Sequence, residues 1–226
     1  MPRTLLRPEA TGLRLAYASI ANFGIGMLLS FWLIRRHLRA GWGTPGDYGL
    51  SPPRRWTGLA AGALIGYGLF RLGHPQPVAP IVLLNAFAQV WVVTAAEIVV
   101  CWALVGGTLR LSLKGRNAIF ASGAAAAVLF GLYHFAHSPP FNEVRMVAFL
   151  SAIGLATSAF WLVSRDLLGT AVFHNFLGVT GVLSALEAQG KAAPSAPDIS
   201  LIMAAAVVTL GLLWPAFRWR KGEEHA

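Results

Sequence analysis

Three ionisable side chains interrupt long apolar runs, and they are the residues most able to do chemistry in this sequence. Glu97 lies inside the run from Trp91 to Trp102, His134 closes a run of small and apolar residues, and His174 lies in a third apolar run. Such side chains are costly in apolar surroundings unless they are paired, coordinated or neutralised. We therefore expect the three groups to share one site, where each helps to satisfy the others.

Hydrolysis is a reaction that uses this set of residues. A glutamate and a histidine can hold a water molecule and take its proton, and a second histidine with an amide side chain can donate to the developing oxyanion. Asn175 directly follows His174 and supplies such an amide. Phe130 lies four residues before His134, so the two side chains share one helix face.

The same residue types also fit other roles. A transporter's proton relay uses buried carboxylates and imidazoles, and His134 with His174 could be the axial ligands of a haem. His137 follows His134 at a spacing that a metal-binding pair can have, although the spacing alone is weak evidence. A neutral Glu97 or a histidine that only hydrogen-bonds a neighbouring helix is the structural alternative.

The elements that position these residues are predicted to be membrane helices. Hydrophobic residues make up 56% of the 226 residues and charged residues 12%, with a mean hydropathy of +0.60, which is too apolar for an ordinary soluble domain. Apolar runs of about 20 residues match the length that crosses a bilayer core. We predict an all-α fold, a polytopic membrane helix bundle that forms a single domain over residues 1–226. About seven transmembrane helices are expected, at roughly 13–34, 57–72, 79–109, 118–137, 144–164, 168–186 and 199–217.

The formal charge of +9 is assigned to membrane topology and not to a nucleic-acid partner. Alternate sides of the seven predicted spans divide the 18 Lys and Arg residues twelve to six. The richer side should be cytoplasmic, which places the N-terminus outside and the C-terminus inside. We expect an integral protein of the bacterial inner (plasma) membrane, in contact with the lipid bilayer. The single cysteine, Cys101, excludes an internal disulfide.

The order of the polar motifs resembles the CAAX-protease and bacteriocin-processing family of intramembrane glutamic endopeptidases, over about residues 80–186. That family carries Glu-Glu-x-x-x-Arg on one helix, Phe-x-x-x-His on the next and His-x-x-x-Asn on a later one. Phe130 to His134 match the second motif in full, and His174 matches the histidine of the third. In the first motif only Glu97 is present.

The resemblance implies a protease that cuts a peptide bond of a membrane-associated protein or peptide without a metal or another cofactor. Glu97 and His134 would activate water, and His174, with Asn175, would steady the oxyanion. The sequence departs from the family at Ala96, in place of the first glutamate, and at Cys101, in place of the arginine.

Two further points bear on activity. Gly178 takes the place of the amide in the third motif. One residue along a helix is a rotation of about 100°, so Glu97 replaces a residue at position 96 only if the helix turns. The alternative is a catalytically inactive relative that acts as a membrane binding or scaffold protein.

Overall fold

A computed structural model describes residues 11–50, 55–74, 76–113, 115, 117–136, 143–188 and 199–218. His137 and the predicted loop from Lys191 to Pro197 lie outside the described residues. Within these ranges the secondary structure is helical, apart from one bridge between Leu50 and Asp166. The α-helices are α1 (Thr11–Tyr17), α2 (Ser30–Arg39), α3 (Arg55–Gly73), α4 (Pro80–Glu97), α5 (Gly107–Ser112), α6 (Asn117–Tyr133), α7 (Val144–Ser164), α8 (Leu167–Ala188) and α9 (Ile199–Arg218).

Two π-helical segments join α-helices end to end. The segment π1 (Ala18–Leu29) connects α1 to α2, and π2 (Ile98–Gly106) connects α4 to α5. A π-helix bonds residue i to residue i+5, and such segments occur often at functional sites. The two long stretches touch where Gly26 of π1 meets Ala96, because a Cβ on Gly26 would lie 2.7 Å from the Ala96 Cβ.

Four helical stretches in the described residues are long and apolar enough to cross a membrane, which indicates an integral membrane protein. They are Leu15–Arg39, Pro80–Ser112, Val144–Ser164 and Leu167–Glu187. Asn117–Tyr133 and Met203–Leu213 are apolar but shorter. The predicted all-α fold is confirmed for the described residues.

Helices α3 and α8 form a tight parallel pair. Gly62 faces the backbone of Gly169, and further along both helices Gly73 lies against Thr180. Gly58, Gly62 and Gly66 follow at intervals of four, the small-residue spacing that lets two membrane helices approach closely. By contrast α6 and α7 run antiparallel, because Gly123 meets Ser158 while Gly131 meets Ser151.

The segment 40–50 folds back over one end of the helices. Asp47 accepts hydrogen bonds from the backbone and hydroxyl of Thr44, both at 2.8 Å, and forms an ion pair with Arg110 at 3.3 Å. Gly49 has a φ of 72° and its carbonyl accepts the Leu167 N–H at 2.9 Å. A side chain at Gly49 would collide with the Trp161 ring, so both conformation and space require glycine there.

Candidate functional site

The carboxyl group of Glu97 faces the imidazole of His174. Glu97 is the last residue of α4, and its Oε2 lies 3.8 Å from Nε2 of His174 on α8. The two side chains are only 9% and 4% exposed. This distance is too long for a direct hydrogen bond, but it brings two buried ionisable groups from separate helices into one site.

The other ring nitrogen of His174 contacts a hydroxyl of α7. Nδ1 lies 2.6 Å from Thr157 Oγ1, and that hydroxyl is also 3.3 Å from the Ile153 carbonyl oxygen one turn earlier. Thr157 is completely buried. Sequence analysis missed Thr157, because a threonine in an apolar helix has the same pattern as any packing residue. The adjacent hydroxyls of Thr157 and Ser158 were the only signal.

Two aromatic rings enclose the His174 imidazole. Trp102 of π2 and Phe130 of α6 have ring centroids 5.4 and 4.7 Å from it. The Trp102 Nε1–H donates to Ser158 Oγ at 2.9 Å, and Ser158 donates to the Gly123 carbonyl at 2.7 Å. These bonds fix the indole between three helices, so the surroundings of His174 are rigid and largely apolar.

His134 joins the cluster through Phe130. Its ring contacts Phe130 edge to face at 4.8 Å, and the Phe130 ring also contacts His174, at 4.7 Å. Nδ1 of His134 lies 2.8 Å from the Phe130 carbonyl oxygen, which can only accept. The proton of a neutral His134 is therefore on Nδ1, and Nε2 carries the lone pair.

The amide of Asn175 is directed toward α4. Asn175 is fully buried, and Nδ2 donates to the Phe87 carbonyl at 3.0 Å. Its Oδ1 is buried and has no hydrogen-bond partner among the described residues. To act as an oxyanion donor, Asn175 would have to give up its bond to Phe87.

The side chains at positions 96 and 97 contact different helices. Ala96 is buried against Gly26 of π1, whereas Glu97 faces His174. The π-helical register begins directly after Glu97. Residues five apart lie near one face of such a segment, which explains how Glu97 and Trp102 both reach His174.

In the part of the chain that the structure describes, no three or more His, Cys, Asp or Glu side chains are grouped to hold a metal ion.

An apolar groove of about 420 Å³ runs between the first helical stretch and α9. Its lining residues are Leu15, Ala18, Ser19, Phe23, Met203, Ala204, Val207 and Val208. Next to the groove, the Tyr17 hydroxyl hydrogen-bonds the Tyr133 hydroxyl at 2.8 Å, and Tyr133 directly precedes His134.

Comparison of the chain with protein-family models, with curated proteins and with solved structures finds no match.

Proposed function

We propose that this chain is an intramembrane endopeptidase that hydrolyses a peptide bond of a membrane-associated protein or peptide. The observation that carries the proposal is the buried Glu97 carboxyl group 3.8 Å from the His174 imidazole. A carboxylate and an imidazole at one buried point are suited to hold a water molecule and move its proton. His134 and Phe130, in the spacing that resembles the protease family, complete the cluster.

The reaction needs only these side chains and water. The water oxygen adds to the scissile carbonyl carbon while Glu97 takes one water proton. The C–N bond then breaks as that proton passes to the amide nitrogen, which leaves a carboxyl product and a free amine. Positioned acid–base groups of this kind typically contribute about 10²–10⁴ in rate.

The proposal includes a seven-pass topology in a bacterial inner membrane, with the N-terminus outside and the C-terminus inside. Alternating passes put residues near 40–50, 110–113 and 164–167 at one end of the bundle. The Asp47–Arg110 ion pair and the Gly49–Leu167 hydrogen bond join these segments and so support the scheme. The apolar groove beside α9 supports substrate approach from the bilayer.

Purified protein in liposomes, incubated with a library of peptides that each carry one hydrophobic segment, tests the proposal. Mass spectrometry should detect cleavage products with wild type and none with Glu97→Gln, and EDTA should not change the rate. Products at equal rates from both proteins would contradict it.

A second candidate is a catalytically inactive relative that binds a membrane peptide. The observations that favour it are Ala96 and Cys101 at motif positions, both buried in helix packing. If this candidate is correct, the same experiment should show peptides bound to the protein-containing liposomes and no cleavage products.

A further inference from the structure

We infer that Thr157 is a positioning residue that fixes which nitrogen of His174 carries the proton, and so makes Nε2 of His174 a proton acceptor toward Glu97. This inference rests on the proposed hydrolysis. It starts from one continuous set of contacts: Glu97 Oε2 to His174 Nε2, His174 Nδ1 to Thr157 Oγ1, and Thr157 Oγ1 to the Ile153 carbonyl.

The direction of these hydrogen bonds follows from donor counts. A threonine hydroxyl has one proton, and the Ile153 carbonyl can only accept. A helical threonine commonly donates to the carbonyl one turn earlier. With its proton used there, Oγ1 presents a lone pair to His174 at 2.6 Å, and Nδ1 must be the nitrogen that carries hydrogen.

The neighbouring hydroxyl shows the same arrangement with no ambiguity. An indole N–H can only donate, so Ser158 accepts from Trp102 and passes its own proton to the Gly123 carbonyl. Two consecutive hydroxyls of α7 thus each lie between a ring nitrogen and a backbone carbonyl. This parallel supports the same direction at Thr157.

The consequence concerns the catalytic water. With Nδ1 protonated, Nε2 of neutral His174 and the carboxylate of Glu97 are both acceptors, 3.8 Å apart. Two acceptors at this separation can take the two hydrogens of one water molecule and leave its oxygen lone pairs toward the substrate. His174 then serves water activation with Glu97, which differs from the oxyanion role that the family resemblance implies.

The test reads the proton position directly and needs no substrate. Protein labelled with ¹⁵N at histidine is studied at neutral pH by two-bond ¹H–¹⁵N correlation, and His174→Gln identifies the His174 signals. Wild type and Thr157→Ser should show hydrogen on Nδ1, whereas Thr157→Val should shift His174 toward the Nε2–H form. Thr209→Val is the matched control, because Thr209 also donates to the carbonyl one turn earlier, at Ala205, and should leave His174 unchanged.

Hydrogen on Nε2 in wild type would overturn the inference, and so would a Thr157→Val spectrum identical to wild type. If Thr157→Val does not fold, the wild-type spectrum still decides the matter. A cleavage assay separates this inference from the proposed function. If wild type shows hydrogen on Nδ1 of His174 but cleaves no peptide, the proposed protease function is rejected and the positioning role of Thr157 stands. If wild type cleaves peptides but shows hydrogen on Nε2, the protease function stands and the positioning role of Thr157 is rejected.

Kinetics give a second measurement if the chain cleaves peptides. Thr157→Val should lower kcat about 10–100-fold, the scale seen when an outer partner that orients an imidazole is removed, with little change in KM. Thr157→Ser should restore most of kcat. An equal loss in both variants would contradict the inference, because it would reflect packing and not the hydroxyl.

Discussion

Glu97 and Ala96 are neighbours in the sequence but contact different residues: Glu97 faces His174, and Ala96 packs against Gly26. Glu97 is the one carboxylate that interrupts an apolar run of the sequence. The 100° step of an α-helix also predicts that the side chains at positions 96 and 97 point in different directions. The π-helical register after Glu97 was not predictable from hydropathy, because it changes the hydrogen bonding without changing the apolar pattern.

Glu97→Gln should abolish peptide cleavage and leave the protein folded. Glutamine keeps the shape and can still hydrogen-bond, but it cannot accept the water proton. We expect a loss of about 10²–10⁴ in rate, measured as product formation in liposomes. Unchanged circular dichroism and an unchanged unfolding midpoint are the controls. A wild-type rate would make Glu97 structural and would favour the binding protein.

Asn175→Ala should weaken cleavage less than Glu97→Gln does. The Asn175 Nδ2 group is occupied by the Phe87 carbonyl, so its main role is to tie α8 to α4. The change leaves that carbonyl without its side-chain partner, and the free energy of unfolding should fall by about 1–3 kcal/mol. Denaturant unfolding in detergent measures it. A rate loss as large as that of Glu97→Gln, with stability unchanged, would instead place Asn175 at the oxyanion.

At the scale of elements, the glycine face of α3 is the clearest determinant of packing. Gly62→Ala should lower the free energy of unfolding by about 1–3 kcal/mol, because the new methyl group would meet only backbone atoms of Gly169, which cannot move aside. Gly68 of the same helix has open space around it. Gly68→Ala is therefore the matched control, and should be neutral or stabilising by up to about 1 kcal/mol. Equal effects would refute the close α3–α8 contact.

The segment 40–50 contains a tyrosine, Tyr48, that should make the free energy of unfolding depend on pH in the alkaline range. Burial raises the pKa of the Tyr48 hydroxyl above its ordinary value of 10.0; the Thr108 hydrogen bond opposes this and Asp47 adds to it. The folded protein therefore keeps the Tyr48 proton to higher pH than the unfolded chain does. The free energy of unfolding should be unaffected below pH 10 and should fall as pH rises through the folded-state pKa.

Tyr48→Phe removes this group and tests the expectation. Unfolding measured in steps from pH 9 to pH 11 should fall less steeply for the variant than for wild type. Parallel curves would mean that Tyr48 ionises equally easily in both states. The variant should also be less stable near neutral pH, by about 1 kcal/mol, because the hydroxyl lies 3.3 Å from His37 Nδ1.

The helices themselves were largely predictable, and their junctions were not. The span predicted at 79–109 corresponds to the continuous stretch Pro80–Ser112, and 144–164 coincides with α7. The π-helical middle of the stretch Pro80–Ser112 leaves no trace in composition, so it was not predicted. The range 57–72 lies within α3. The role of the α3 glycines in contacting α8 was not predicted, because it depends on a partner about 110 residues away in sequence.

The site was predictable by residue type more than by geometry. Glu97, His134 and His174 were identified because each is isolated in an apolar run. The structure places Glu97 against His174, and the Phe130 ring against both His134 and His174. Trp102 and Thr157 were missed, because an aromatic and a β-branched residue in an apolar helix are ordinary packing residues. Their contacts with His174 exist only once π2, α7 and α8 have packed together.

For the whole molecule, a cytoplasmic reporter fused after Ala226 should be active. The expectation follows from the twelve-to-six division of basic residues between the two sides. A fusion truncated after Gln76 is the matched control, and it should place the reporter outside and inactive. The opposite pair of results would invert this placement, and activity at both points would mean that an even number of the five spans predicted after Gln76 cross the membrane.

The parallel pairing of α3 with α8 has a consequence for biosynthesis. Helix α3 ends at Gly73 and α8 begins at Leu167, so the ribosome adds roughly 90 residues between them, which takes about 5–20 s at about 5–20 residues per second. During that interval the glycine face of α3 has no α8 to bind. A nascent chain stopped before Leu167 should therefore stay attached to the insertion machinery or be degraded. In the full-length chain, α3 should be released into the bilayer only after α8 has been synthesised.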